Sequence, residues 1–370
     1  MITQFYCAIC SGPARIWAIG SSSPKALKRR RKYVEAKRQE KATGRRVPIN
    51  FDEDKSSDDE LDESPYNPDD LTRYDPGLVS AESREWLHDI YCLGVDDFTC
   101  EGYIEGPASS EHDLNSVTFR REVNGEESLD TYFCYTTVNC VFPFHLPCFE
   151  LLLYSIFSDM EFDHIDKKVL YNVMMDINPG RMRLELDYGD IEGPDQFWRC
   201  QPGEEYCISH PTSLGEETQR FLQDKLQHDT FRLPLSDVKI DARHMVADPF
   251  SSLPVEVLFN ILDMLPACSL LDFRKASATV CRATQANGYW KQRMSRVMDW
   301  FWELPDILQD HPSDLNIKAF YLWLDKKTTP EFGMDPKFMG LGNRRRIWGA
   351  CQQLRNLYVQ RLPPETEGQQ

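Results

Sequence analysis

The chain has 370 residues, which is enough for two or three domains with their own cores. Its 59 acidic and 42 basic residues leave a net charge of -17, which argues against broad affinity for nucleic acid or anionic membrane. The sequence has no run of about 18 apolar residues. It has 12 cysteines and no recognisable secretion signal, so it predicts reduced thiols in a cytoplasmic or nuclear protein without a membrane partner.

Two short pairs of metal-ligand residues lie far apart in the chain. Cys7 and Cys10 form a Cys-x-x-Cys pair followed by a Ser-Gly-Pro turn, and His145 and Cys148 form a His-x-x-Cys pair. Zinc is usually held by four ligands in a tetrahedron, and two such pairs brought together by the fold supply them. The sequence therefore predicts a structural zinc site at Cys7, Cys10, His145 and Cys148, with Cys134 or Cys140 as substitutes.

The alternative for these residues is ordinary burial in a core. Cysteine is among the most buried residue types, and His145 lies between Phe144 and Leu146 in an apolar run. A redox function of Cys7 and Cys10 is less consistent with the sequence, because no strand–helix pattern of the thioredoxin type surrounds them.

Residues 21–70 consist of a basic block followed at once by an acidic block. The run KRRRK at residues 28–32 is typical of nuclear-import or nucleic-acid-binding segments. Blocks of opposite charge with few aromatic or β-branched residues are typical of a solvated linker. The composition favours a charged disordered linker over 21–70, although its Ala, Lys, Arg and Glu content permits transient helix over 21–40.

Residues 1–20 and 71–235 are predicted to form an N-terminal α+β domain that the linker interrupts. Alternation over 117–123, just before Asn-Gly, predicts a strand that enters a hairpin. Apolar residues over 149–157 and 166–175 predict helices, and alternation over 182–188 predicts a further strand.

Residues 248–290 carry large apolar residues at helical spacing. The residues that line one face of the first predicted helix are Leu258, Ile261, Leu262 and Leu265. Pro254 fits the first turn of this helix and Pro266 ends it. Ser269 is predicted to cap a second helix that carries Leu270 on its apolar face. Two short helices enclose too little core to be stable alone, so the pattern indicates a partner.

This segment resembles the F-box. The matching positions are Leu253, Pro254, Glu256, Leu258, Ile261, Leu262, Leu265, Pro266, Leu270, Leu271, Cys281, Arg282 and Trp290. Ser269 stands where many members have Asp, and residues 274–277 match only loosely. The Cys-x-x-Cys opening, the His-x-x-Cys pair and residues 342–348 are similar to parts of filamentous-fungal F-box proteins. The predicted boundaries are therefore an F-box at 248–295, a helical C-terminal region at 296–360 and a disordered tail at 361–370.

The resemblance implies docking onto a Skp-type adaptor, which links the chain to a cullin–RING ubiquitin ligase. The docking residues that it implies are Leu253, Pro254, Leu258, Ile261, Leu262, Leu265, Pro266 and Leu270. Such a substrate adaptor recruits an unidentified protein for ubiquitination and acts by raising its local concentration near the ligase.

Two other classes of function were weighed against this one. The sequence has no Gly-rich phosphate loop, nucleophile elbow or His-Glu-x-x-His helix, so we expect no enzymatic activity. A zinc-stabilised nuclear protein that binds nucleic acid or chromatin through the basic run is the main alternative, and the net charge opposes it.

Overall fold

The computed structural model describes residues 6–14, 16, 19–49, 73–110, 116–123, 126–136, 140–191, 200–227, 231–232, 248–309 and 314–363. The chain divides into two compact units. The first unit comprises Met1–Ser213 and Pro330–Gln370, and the second comprises Leu214–Thr329. Helices and small sheets are both present, which confirms the predicted α+β class.

The strands all lie in the first unit, within the described residues. They are β1 (Ile90–Val95), β2 (Gly102–Glu105), β3 (Ser109–Ser110), β4 (Ser116–Val123), β5 (Glu126–Phe133) and β6 (Phe142–His145). They form two antiparallel sheets with the orders β2–β1–β6 and β3–β4–β5. The predicted hairpin strand is present as β4, which pairs with β5, and the Asn-Gly pair between them lies outside the described residues.

The helices are distributed over both units. In chain order they are α1 (Pro24–Thr43), α2 (Leu146–Phe157), α3 (Lys167–Asp176), α4 (Glu216–Gln227), α5 (Val255–Asp263), α6 (Ala267–Ala276), α7 (Ala278–Ala283), α8 (Asn287–Val297), α9 (Leu304–Ile307), α10 (Ile317–Thr328) and α11 (Met339–Arg361). Short 3₁₀ helices lie at Glu82–His88, Glu205–Ile208, Pro249–Ser252 and Pro336–Phe338. Among the described residues, no helix is both long and apolar enough to cross a lipid bilayer.

Helix α11 belongs to the first unit, so the predicted C-terminal boundaries are wrong. The helix packs against α2 and α3, and Tyr358 accepts a hydrogen bond from the Asp166 amide at the start of α3 (2.9 Å). Leu354 and Tyr358 are buried by this packing. The predicted region 296–360 is therefore divided near Pro330, and residues 214–235 belong to the second unit. Burial of a C-terminal helix against distant elements leaves no signal in local composition.

The prediction of a disordered linker over 21–70 is wrong for Pro24–Thr43, which form helix α1. The Ser23 hydroxyl accepts the Ala26 amide (3.3 Å), and Gly44 ends the helix at φ 66°. Arg30 is fully buried and donates to the carbonyl oxygen of Ser21 (2.6 Å). The burial of this charged side chain distinguishes α1 from a solvated charged segment. Residues 50–70 of the predicted linker, and residues 364–370 of the predicted tail, lie outside the described residues.

Residues 182–188 do not form the predicted strand. Leu184 and Tyr188 are buried while Glu185 and Asp187 are exposed, so the alternation itself is present. The backbone of Asp187, however, bonds to a side chain of α11. Its amide donates to Gln353 Oε1 (2.9 Å), and its carbonyl oxygen accepts from Gln353 Nε2 (2.8 Å). The segment is extended because it lies along a helix.

The second unit contains the predicted pair of short helices as α5 and α6, followed by α7 and α8. Helix α6 begins at Ala267, directly after Pro266, so Ser269 lies inside its first turn and does not cap it. Ser277 caps α7 instead, since its hydroxyl accepts the Val280 amide (3.1 Å). Trp290 is fully buried and its indole donates to the Thr284 carbonyl oxygen (2.8 Å).

Candidate functional site

The two ligand pairs are held by two different kinds of local structure. Cys7 and Cys10 lie in a tight turn closed by the bridge between Tyr6 and Pro13. The Cys7 amide donates to the Gly12 carbonyl oxygen (2.7 Å) inside this turn. His145 is the last residue of β6, and Cys148 lies in the first turn of α2. A strand that runs directly into a helix places side chains three positions apart on the same side.

The fold brings both pairs together in one buried cluster. One ligand atom from each of Cys7, Cys10, His145 and Cys148 lies within 4.8 Å of the others. His145 Nδ1 is 3.4 Å from Cys10 Sγ and 3.9 Å from Cys148 Sγ. Within the described part of the chain, this is the group of residues able to hold a metal ion, and it is the predicted set. We call it the Cys₃His cluster.

The predicted substitutes Cys134 and Cys140 do not belong to this cluster. Cys140 Sγ points towards the sulfur of Met175 (3.5 Å), on α3. Cys134 is buried and pairs with Val141 in an isolated bridge. Burial raises the pKa of both thiols, so each behaves as a small core residue.

Backbone groups orient the ligands. His145 Nε2 lies 3.1 Å from the carbonyl oxygen of Pro13, so it acts as the donor and leaves Nδ1 directed at the thiols. The amides of Cys10 and His145 donate to Cys7 Sγ (3.4 Å each), and the Gly12 amide donates to Cys10 Sγ (3.2 Å). Amide donors of this kind stabilise thiolates, and the tautomer of His145 suits metal binding.

The electrostatics of the Cys₃His cluster favour a cation at its centre. Burial lowers the pKa of His145, but negative charge on Cys7 and Cys10 outweighs burial and raises it to about 10. Burial raises the pKa of Cys10, yet hydrogen bonds from Cys148 and Cys7 hold it well below its usual range. Burial and the two neighbouring thiols raise the pKa of Cys148 well above its usual range. The pKa values of Cys10 and Cys148 are thus shifted in opposite directions, and a cation at the centre would favour the charged form of both thiols.

Sequence reasoning missed two residues that contact the cluster. Trp86 packs edge-on against the imidazole of His145, with 4.9 Å between ring centroids. Arg346, on α11, donates through Nη1 to the carbonyl oxygen of Cys10 (2.9 Å). Neither contact has a signal in the sequence, because each joins residues far apart in the chain.

The predicted docking face of α5 is divided between core and surface. Leu258 and Leu262 are 2% and 0% exposed, and Leu270 on α6 is also fully buried. These three residues belong to the core of the second unit and are not exposed for docking. Leu253 and Leu265 are half-buried, and Pro254, Ile261 and Pro266 are exposed. Apolar residues surround most of α5, and periodicity does not tell which of them face the core.

A second apolar face of α5 is exposed. Val257, Ile261 and Met264 are 44%, 36% and 86% exposed and are spaced four and three residues apart, so they form one stripe along the helix. Asn260 beside them is also exposed. We call these three residues the α5 stripe. The sequence analysis identified Ile261 but missed Val257 and Met264.

No family model, no curated protein and no solved structure matches this chain. The Cys₃His cluster and the α5 stripe are therefore the two features of the molecule from which its function is inferred.

Proposed function

We propose that the protein is an F-box-type substrate adaptor that binds a Skp-type adaptor through the α5 stripe. The observation that carries this proposal is the exposure of Val257, Ile261 and Met264 on a helix whose opposite face is core. Large apolar side chains in a row on a surface are typical of contacts with another protein. The resemblance of residues 248–290 to the F-box identifies the chemistry of the partner, a hydrophobic groove on the Skp-type adaptor.

The proposed mechanism is proximity and involves no chemistry by the chain itself. The second unit binds the adaptor, and through it the cullin–RING ligase, while another surface holds the protein substrate. This arrangement raises the local concentration of the substrate near the ubiquitin-carrying enzyme.

The test is co-purification of the full chain with a Skp-type adaptor. We expect wild type to form a stoichiometric complex and Ile261→Asp or Met264→Asp to lose it. Truncation of one central anchor typically weakens binding by about 2 kcal/mol, or roughly 30-fold in Kd, and a buried charge weakens it further. Val359→Asp on α11, where Val359 is 52% exposed, is the matched control. Equal capture of all four proteins, or capture of none, would contradict the proposal.

We also propose that the Cys₃His cluster holds a structural Zn²⁺. Three thiolates and one imidazole are a common ligand set for tetrahedral zinc, and a site with four protein ligands leaves no position open for substrate. The hydrogen bond that His145 Nε2 donates to the Pro13 carbonyl oxygen supports this proposal, as do the bonds that the Gly12 and His145 amides donate to the thiols. A bound zinc would link the N-terminal turn to β6 and α2, and so stabilise the first unit.

Elemental analysis of the purified full chain tests the zinc proposal. We expect one zinc per chain in wild type and none in the double variant Cys7→Ser with Cys148→Ser. Cys100→Ser with Cys268→Ser is the matched control, because both of these thiols are exposed and distant in sequence from the ligands. Wild type that is free of metal after purification without chelators would contradict the proposal.

Nucleic-acid binding through α1 is a second candidate function. The helix concentrates basic residues in an acidic chain, and Lys28, Arg31 and Arg38 on it are exposed. Binding of this kind is steeply dependent on salt. Fluorescence anisotropy with labelled duplex DNA and RNA at two salt concentrations tests it: salt-sensitive binding would support this function, and no binding at physiological salt would contradict it.

A further inference from the structure

Arg346 places a buried positive charge beside the Cys₃His cluster. Its side chain comes from α11 and is 4% exposed. Its Nη1 donates to the carbonyl oxygen of Cys10 (2.9 Å) and to that of Tyr188 (3.3 Å). Its Nε and Nη2 both donate to Asn343 Oδ1 (3.2 and 2.9 Å). The guanidinium is therefore fixed on three sides against the turn that supplies two of the four ligands.

The charge of the cluster requires such a neighbour. A divalent cation bound by three thiolates and one neutral imidazole leaves one net negative charge. All four ligands are buried, and a buried charge without a partner is strongly unfavourable. The guanidinium of Arg346 donates to the backbone of Cys10, so its positive charge lies directly beside one of the four ligands.

We infer that Arg346 is the counter-charge and positioning residue of the metal centre. This inference rests on the proposed zinc and adds to it that α11 completes the site. The guanidinium neutralises the net charge of the loaded cluster and holds the Cys10 turn through its carbonyl oxygen. Its planar fork suits the simultaneous contacts with Asn343, Cys10 and Tyr188, which a single ammonium group would satisfy less well.

Arg344 provides an internal comparison. It lies on the same helix and is fully buried, but it donates to the carbonyl oxygens of Pro211 (2.6 Å) and Thr212 (2.9 Å). Neither acceptor is a ligand of the cluster or a sequence neighbour of one. Substitution of Arg344 therefore removes a buried arginine of equal size. It leaves in place the charge of Arg346 and its hydrogen bond to the Cys10 turn.

The coupling between metal and α11 works in both directions. If Arg346 strengthens metal binding, then metal binding strengthens the attachment of α11 by the same factor, because the two equilibria are linked. Removal of zinc should consequently increase hydrogen exchange in α11 near residue 346 as well as in the N-terminal turn. A cluster that only cross-links its four ligands would change exchange in the turn, in β6 and at the start of α2.

The test is the zinc affinity of the full chain, measured by competition with a chromophoric chelator. We expect Arg346→Gln to bind zinc 10- to 100-fold more weakly than wild type, the range typical for loss of a residue that holds a metal ligand in place. Arg346→Lys restores the charge, so its affinity should lie within about 10-fold of wild type. Arg344→Gln should destabilise the fold but keep wild-type affinity. Asn343→Ala, which releases the guanidinium without removing its charge, should fall between wild type and Arg346→Gln.

Each outcome decides between the proposals. Wild type that binds no zinc overturns the zinc site and this inference together. Wild type that binds zinc, with equal affinity in Arg346→Gln and Arg344→Gln, overturns the inference alone. If Arg346→Gln does not fold, Asn343→Ala and Arg346→Lys carry the test, and wild-type affinity in Asn343→Ala then overturns the inference.

Discussion

Arg293 on α8 donates through Nη1 to the carbonyl oxygen of Leu262, at 2.6 Å, near the C-terminal end of α5. A second guanidinium nitrogen donates to the carbonyl oxygen of Leu265, and Nε donates to the hydroxyl of Tyr321 (3.1 Å). The last carbonyl groups of a helix have no partner within it. Arg293 donates from inside the core to one carbonyl group in the last turn of α5 and to one just beyond the helix, and so holds the turn at Met264 that follows α5.

Arg293→Ala should therefore destabilise the second unit and weaken adaptor binding at the same time. Removing one partner from a buried charged network typically costs about 3 kcal/mol, because the hydrogen bonds of the guanidinium are lost and its place in the core is left unfilled. Urea denaturation of the full chain measures the loss. Arg296→Ala is the matched control, since Arg296 is an exposed partner of Asp263 (2.8 Å) and should contribute less than about 1 kcal/mol. Equal losses in both variants would contradict this assignment.

Leu258 and Ile261 are neighbours on α5, but alanine substitutions at the two positions should have different effects on stability and on adaptor binding. Leu258→Ala leaves a cavity in the core and should lower the free energy of unfolding by about 2–5 kcal/mol. Ile261→Ala should change the unfolding free energy by less than about 1 kcal/mol, yet weaken capture of the adaptor. Denaturation and pull-down of the same two preparations separate the effects. If Leu258→Ala has wild-type stability but binds the adaptor weakly, Leu258 is a docking contact and not a core residue.

Helix α1 offers a pair of adjacent arginines for a test of its attachment. Arg30→Ala should lower the unfolding free energy by about 2 kcal/mol, because it removes a buried side chain and its bond to the Ser21 carbonyl oxygen. Arg31→Ala should be neutral within about 0.5 kcal/mol, since Arg31 is exposed. Thermal denaturation provides the comparison, and neutral behaviour of both variants would mean that α1 is not packed.

Asp248 should make the stability of the second unit dependent on acid pH. Its carboxylate accepts hydrogen bonds from the Ser277 hydroxyl (2.6 Å) and from the amides of Thr279 and Phe250 (3.0 Å each), which lower its pKa to about 2. The folded pKa is thus below the unfolded value, near 4. The stabilisation is complete above about pH 4 and is lost as pH falls through 2.

The measurement is the difference in unfolding free energy between wild type and Asp248→Asn across this range. We expect about 1 kcal/mol at neutral pH, which is less than the full effect of the pKa change because the side-chain amide in Asp248→Asn would keep part of the hydrogen bonding. The difference should disappear near pH 2. A constant difference at all pH values would mean that the hydrogen bonds do not depend on the charge of Asp248.

Removal of zinc should destabilise the first unit by mass action. A ligand that binds only the folded state at about 1,000 times its Kd stabilises that state by roughly 4 kcal/mol. Addition of a strong chelator should therefore lower the melting temperature of wild type. It should not change that of Cys7→Ser with Cys148→Ser, which already lacks two ligands. Equal melting temperatures with and without chelator would exclude a stabilising metal.

Much of the local structure followed from the sequence. Helices α2 and α3 and the hairpin strand β4 were predicted because the spacing of their apolar residues distinguishes a helix from a strand. The Met182–Tyr188 alternation was equally clear, but its backbone partner is Gln353 on α11, which no local pattern reveals. Helix α1 was missed as packed structure because the charge composition of a segment does not show that one of its arginines, Arg30, is buried.

The sequence by itself identified the four candidate metal ligands and the two short apolar helices. Spacings of three and four residues control which side chains share a face, and such spacings are visible in the chain. Only the tertiary structure decided that the two cysteine-containing pairs meet, that Arg346 lies beside them, and that Leu258 faces the core while Met264 faces solvent. Those contacts join residues distant in the chain, and they depend on which apolar surfaces exclude water together.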